Sequence, residues 1–142
     1  MTVNVVKSAR VRFPGGKRVD AALGDHVIHS DQSLEHGGEG SAPEPFDLFL
    51  GSLATCAGVY VLAFCQARSI STEGLWLDQE SRFEDGKLCE VRLAVHVPAS
   101  FPEKYLGAVR AAAAGCRVKK ALADPPQITV EVEREQGVGN DS

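Results

Sequence analysis

The chain carries four cysteines, at positions 56, 65, 89 and 116, and these thiols are the most reactive groups it offers. A cysteine acts as nucleophile or metal ligand only as the thiolate, so its chemistry depends on surroundings that lower its pKa. The competing use for each is packing, because cysteine is a small hydrophobe that proteins often bury completely. Cys65, nine residues after Cys56, and Cys89, inside an expected strand, are read as packing residues. Cys56 and Cys116 stay open between packing and chemistry, since spacing along the chain does not establish proximity in space.

Other chemistries find less support. There is no C-x-x-C pair and no His-x-x-x-His pair on a helix, so no metal site is expected. His26 and His29 lie three apart in an expected strand and point to opposite faces. Gly37, Gly38 and Gly40 do not lead into the G-K-[ST] of a phosphate loop, and a G-x-S-x-G nucleophile elbow is absent.

A net charge of -4, with scattered lysines and arginines, gives no expectation of a nucleic-acid partner or an anionic membrane surface. Lys119 and Lys120 are the only adjacent lysines. Met1 to Lys7 lacks the charged start, apolar run and small-residue site of a secretory signal, so a cytoplasmic protein with free thiols is expected.

The elements that must position these cysteines are read from turn residues and periodicity. Val3 to Phe13 is valine-rich, Pro14-Gly15-Gly16 is a turn, and Arg18 to Leu23 and His26 to Ser30 flank another at Gly24-Asp25. Asp31 to Pro45 is expected to be a surface loop, functional or mobile. Phe46 to Arg68 is apolar on nearly every side of a helix, which requires burial or a membrane. Asp47, the interspersed Gly51, Ser52, Thr55 and Gly58, and the strand-rich flanks favour a central helix packed on a sheet or a partner helix.

Leu75 to Glu84 and Leu88 to Val97 form an expected hairpin around Asp85-Gly86. A helix from Pro102 to about Cys116 and a short helical piece, Arg117 to Ala123, end at Pro125-Pro126. Ile128 to Glu133 alternates as a last strand, and 136–142 is expected to fray. The order implies a single α+β domain over 1–135.

The run Pro43-Glu44-Pro45-Phe46-Asp47-Leu48-Phe49-Leu50-Gly51-Ser52-Leu53-Ala54-Thr55-Cys56 resembles the helix start that ends in the first cysteine of the OsmC/Ohr family. Gly115-Cys116-Arg117-Val118-Lys119-Lys120-Ala121-Leu122, with Pro125 and Ile128-Thr129-Val130, resembles that family's second cysteine motif. The resemblance implies an antiparallel sheet around a long buried central helix, in an intertwined homodimer with two equivalent sites. It further implies an organic-hydroperoxide peroxidase, with Cys56 in the attacking position, Cys116 in the resolving position, an external dithiol as reductant and no haem, flavin or metal.

The family's arginine, supplied from an N-terminal hairpin, is expected at Arg18, with Arg10 and Arg12 as the other candidates. The family's glutamate, ten residues before the first cysteine, is absent: Phe46 stands there, and Asp47 is the expected substitute, with Glu44 the other nearby acid. That departure leaves two rival readings open, a non-catalytic dimer binding a small hydrophobic molecule and a thiol redox sensor.

Overall fold

The computed structural model describes residues 4–136. Residues 1–3, where the opening strand was expected to begin, and 137–142, most of the expected frayed tail, lie outside the described residues. Three strands come first: β1 (Arg10–Gly15), β2 (Arg18–Leu23) and β3 (His26–Ser30), paired antiparallel in that order. The opening strand starts at Arg10 instead of Val3 because β2 is its only neighbour. Arg10 pairs with Ala22, and β2 ends one residue later. Val5 and Val6 therefore remain exposed.

Residues directly opposite across a ladder share a face. Val11, Ala21 and Ile28 line up on one face of this sheet, with Phe13 two positions from Val11. Arg12, Asp20 and His29 line up on the other, where His29 Nδ1 and Asp20 Oδ1 are 3.0 Å apart. Among the described residues no other element packs extensively on the apolar face, and Phe13 is 80% exposed.

The expected 31–45 loop is tied down by Asp31, which is buried. Its Oδ2 accepts hydrogen bonds from the Ser41 amide (3.0 Å) and hydroxyl (2.7 Å). These donors hold the Asp31 carboxyl below its usual pKa, the hydroxyl bond first and the amide second. Gly38 is required here: a Cβ on it would lie 2.1 Å from the Gln32 carbonyl oxygen.

Helix α1 (Pro45–Ala67) begins with proline in its first turn, where a missing N–H costs nothing. Its buried stripe is Leu53, Ala57, Val61 and Phe64, at helical spacing, joined by Cys65. Phe46, Val59 and Leu62, on its other sides, stay exposed in the single chain. The helix is long and apolar enough to cross a membrane, but its stripe packs into a core shared with strands and helices.

β4 (Trp76–Glu84) and β5 (Lys87–His96) form the second, two-stranded antiparallel sheet around Asp85-Gly86, both at positive φ as a tight hairpin turn requires. Its outer face is charged, with Glu80 opposite Arg92 and Arg82 opposite Glu90. Its inner face presents Leu77, Val91, Leu93 and Val95 to the core.

The helix expected from Pro102 is a 3-10 turn (Glu103–Tyr105) followed by α2 (Leu106–Ala114). It ends at Gly115, whose amide donates to the Ala111 and Ala112 carbonyls. Cys116 is extended and leads into α3 (Arg117–Ala123).

The core joins Leu53, Ala57, Val61, Phe64 and Cys65 of α1 to Phe101, Val109, Ala113 and Cys116. Burying each of Leu53, Val61 and Phe64 contributes about 1.5–3 kcal/mol.

One expected element does not form. Ile128 to Glu133 makes no strand: Ile128, Val130 and Val132 are 81%, 87% and 96% exposed. The alternation supplies an apolar face, but a strand also needs a neighbouring edge, and the described residues provide none to this segment. The α+β class stands on the two antiparallel sheets and the long helix.

Candidate functional site

Cys56 sits on the α1 turn between Leu53 and Ala57, the first two members of the buried stripe. It is half-buried and packs against the core cluster of which Cys116 is a member. Cys116 is 1% exposed and occupies the bend between α2 and α3, both of which rest on α1. One packed cluster therefore gathers three cysteines, the buried Cys65 and Cys116 with Cys56 against its edge, and Cys56 and Cys116 lie 60 positions apart in sequence. All four cysteines are free thiols.

The two remaining cysteines divide by environment. Cys65 is fully buried, and that burial raises its pKa, with Arg68 opposing the effect more weakly. It stays protonated and inert at neutral pH. Cys89 is exposed on β5, its thiol near the Lys87 carbonyl (3.4 Å).

Beside Cys116 a groove of about 860 Å³ runs between β5 and the α2–α3 pair. Leu53, Val91, Leu93, Val95 and Val109 give it apolar walls, and Arg92, Arg110 and Lys119 add cationic groups. An apolar molecule with a polar or anionic end matches such a lining.

The expected cation and acid are not joined to either thiol among the described residues. Arg18 folds back on its own hairpin, its Nε donating to the Gly15 carbonyl (3.3 Å). Arg10 and Arg12 line a separate cleft with Asp20 and Val27 on the N-terminal sheet. Asp47 is exposed in the first turn of α1, where a carboxylate complements the helix dipole.

Glu44 precedes that turn and is engaged elsewhere. Its Oε2 accepts from the Ser33 amide (3.0 Å) and lies 2.5 Å from His36 Nδ1. The carboxylate raises the His36 pKa, first by the hydrogen bond and then by its charge; His36 in turn lowers that of Glu44. This clasp, the Asp31 anchor and the role of Gly38 have no signature in the sequence, because each depends on how the loop closes on itself.

Gln79 is a further residue that sequence reasoning passed over. It sits on the inner face of β4 and donates from Nε2 to the Leu50 carbonyl of α1 (2.9 Å). A polar residue two positions after Leu77 in the inward row is the only cue the sequence gives for it.

Comparison with known proteins adds to this geometry. The sequence pattern of the OsmC-like protein family matches residues 38–131, from within the 31–45 loop to the segment after α3. No curated protein sequence matches the chain. Among solved structures, a candidate osmotic stress induced and detoxification response protein from Psychrobacter arcticus 273-4 is similar at TM-score 0.71 and 22% identity, over 85% of this chain and 91% of that one. An OsmC-like protein from Mycoplasma pneumoniae gives TM-score 0.69 at 14% identity, over 87% and 91%. The organic hydroperoxide resistance protein OsmC from Legionella pneumophila gives 0.58 at 20%, over 85% and 91%. At these identities the structural likeness establishes the fold.

Proposed function

The chain belongs to the OsmC/Ohr family of OsmC-like proteins, and on that premise we propose that it reduces organic hydroperoxides as a thiol-dependent peroxidase. The observation that carries the reading is that Cys56 packs against the cluster containing Cys116. A structural neighbour that is a hydroperoxide resistance protein supports the substrate class.

In this reading the Cys56 thiolate attacks the distal peroxide oxygen. The O–O bond breaks, the alcohol leaves with a proton, and sulfur is oxidised to the sulfenic acid. The Cys116 thiol then displaces water to form the Cys56–Cys116 disulfide, which protects Cys56 from further oxidation. An external dithiol restores both thiols by exchange, supplying the two electrons and protons and leaving as its own disulfide. None of these steps needs haem, flavin or metal.

A cation near Cys56 would favour the thiolate, and a guanidinium could also donate to the peroxide oxygens. Arg18 is the proposed cation, with Asp47 as the acid that orients it, since Glu44 is occupied by His36. Both sit on surfaces that the single chain leaves open, which couples this assignment to a second part of the proposal.

That part is a cytoplasmic homodimer. The apolar face of β1–β3, the outer side of α1 and the alternating 128–133 segment all carry exposed apolar side chains that a second copy would cover.

Turnover with a dithiol donor tests the reading. Consumption of cumene hydroperoxide faster than of hydrogen peroxide is expected, with loss in Cys56→Ser. Equal, background-level rates for the wild type and that variant would refute it.

The groove beside Cys116 favours one alternative, a non-catalytic dimer that holds a small hydrophobic molecule. Native mass spectrometry of the purified protein distinguishes them. Retained apolar ligand without turnover supports the alternative, and an empty groove with rapid turnover removes it.

A further inference from the structure

The inner face of the β4–β5 sheet is apolar apart from Gln79, which touches α1, and Ser81, which lies opposite Val91. Leu77 precedes Gln79 on that face, Leu93 lies opposite it, and Val91 and Val95 flank Leu93. Leucine or methionine at 79 would bury more apolar surface and leave no polar atom to satisfy. Instead Gln79 donates from Nε2 to the Leu50 carbonyl of α1, and its Oε1 is buried with no hydrogen-bond donor among the described residues. A buried polar group that is only half satisfied is disfavoured unless its directional bond does something packing cannot.

What it does follows from where the bond lands. Every other sheet-to-α1 contact described here is free of side-chain hydrogen bonds, and apolar packing is non-directional. Such packing keeps a helix against a sheet but resists sliding or rotation weakly, and shifts of about 1–2 Å are an ordinary mode of helix motion. A bond to one chosen carbonyl fixes both.

The receiving turn is also unusual. Four consecutive α1 carbonyls, from Phe49 to Ser52, each accept a side-chain hydrogen bond. Ser52 bonds Phe49, Gln79 bonds Leu50, and Thr55 bonds both Gly51 and Ser52. Side-chain bonds of this kind bend and position a helix locally. Cys56 follows immediately, six residues beyond Leu50 and so roughly 9 Å along the axis.

We propose that Gln79 is a positioning residue: it pins the register of α1 on the β4–β5 sheet and thereby holds the Cys56 turn at the separation from Cys116 that disulfide closure requires. It does not touch the reacting atoms. The inference rests on the thiol-pair reading of the site, and its test separates the two.

The pin is tested with Gln79→Met, which keeps length and apolar packing but removes the donor, and Gln79→Glu, which regains a donor only when protonated. Two readouts are taken on the full chain: peroxide-driven Cys56–Cys116 closure, and bridging of the same thiols by the bifunctional alkylator dibromobimane, which needs no peroxidase chemistry. In Gln79→Met both are expected to fall about tenfold, while single alkylation of Cys56 and the helical circular dichroism stay at wild-type values. In Gln79→Glu, closure relative to wild type at the same pH should recover as the pH is lowered and the side chain gains its proton. Wild-type bridging in Gln79→Met overturns the proposal. If Gln79→Met does not fold, a Gln79→Glu closure ratio that is flat with pH overturns it instead. Absence of peroxide-driven closure in the wild type defeats the peroxidase reading alone, because dibromobimane still reports the pin.

Discussion

Two halves of the chain use their apolar residues differently. In α1, β4–β5 and α2–α3, the apolar stripes meet one another and close a core around Leu53, Val61, Phe64, Val109 and Cys116. In β1–β3 and the 128–133 segment the alternation is as regular, but among the described residues its apolar face lies outside that core: Phe13, Ile128, Val130 and Val132 are left in solvent. The first half is complete in one chain and holds both thiols. The second supplies the hairpin arginines and the exposed apolar surface on which the proposed homodimer rests. Patterning states which face is to be buried and is silent about whose surface will bury it.

The largest expected effect separates the halves by chemistry. Cys56→Ser is predicted to abolish hydroperoxide turnover to the uncatalysed rate, measured by peroxide loss. Cys116→Ser should still reduce one peroxide, leaving sulfenic acid at Cys56, and with excess peroxide consume a second and accumulate sulfinic acid there, read by mass spectrometry. Turnover undiminished in both variants would remove chemistry from the closed half.

Next comes the open half. Phe13→Asp combined with Val130→Asp should convert a dimer to a species of one chain mass, 15.1 kDa, by light scattering, with its helical signal retained and its turnover lost. An unchanged dimer would mean that these faces are covered some other way.

Stability sharpens the same contrast. Leu53→Ala is expected to cost about 3 kcal/mol in urea unfolding, from lost burial plus the cavity left behind. Val132→Ala, in a dissociated chain, should change stability by less than about 0.5 kcal/mol. Similar values for the two would contradict the division into closed and open halves.

How far the sequence carried follows the same line. The long helix, the Gly24-Asp25 and Asp85-Gly86 turns and the alternating inner face of β5 were legible because each is local: periodicity, proline and glycine decide them. The first turn, by contrast, falls at Gly16-Lys17, with Pro14 and Gly15 inside β1. The splitting of the 102–116 helix was not, since the 3-10 turn before Leu106 leaves no separate mark. The family motifs pointed to Cys56 and Cys116, yet their sharing of one cluster is a long-range fact that only packing supplies. Strand formation at 128–133 was overestimated because alternation was visible and the missing neighbour was not. Gln79 and the His36–Glu44 clasp went unread because their partners lie across the fold or across a loop.

The smallest expected effect lies in that clasp, where the loop meets α1. The His36 pKa is raised in the folded state, so the clasp's stabilisation is fully present below about pH 6.5 and is lost as pH rises through the folded His36 value. The Glu44 pKa is lowered, so its share is present above about 4.5 and is lost as pH falls through the folded Glu44 value. Protease nicking of the 31–45 loop should therefore be slowest in mildly acidic solution. His36→Gln should nick faster there and match the wild type at higher pH, whereas a pH-independent difference would contradict the assignment.

The account stands or falls on two sulfurs meeting across the core of the closed half. Reduced protein treated with a stoichiometric amount of cumene hydroperoxide, quenched by alkylation and mapped by peptide mass spectrometry, should yield a Cys56–Cys116 linked peptide with Cys65 alkylated only after unfolding. Recovery of Cys56 and Cys116 in separate peptides, both alkylated or oxidised independently, would contradict it.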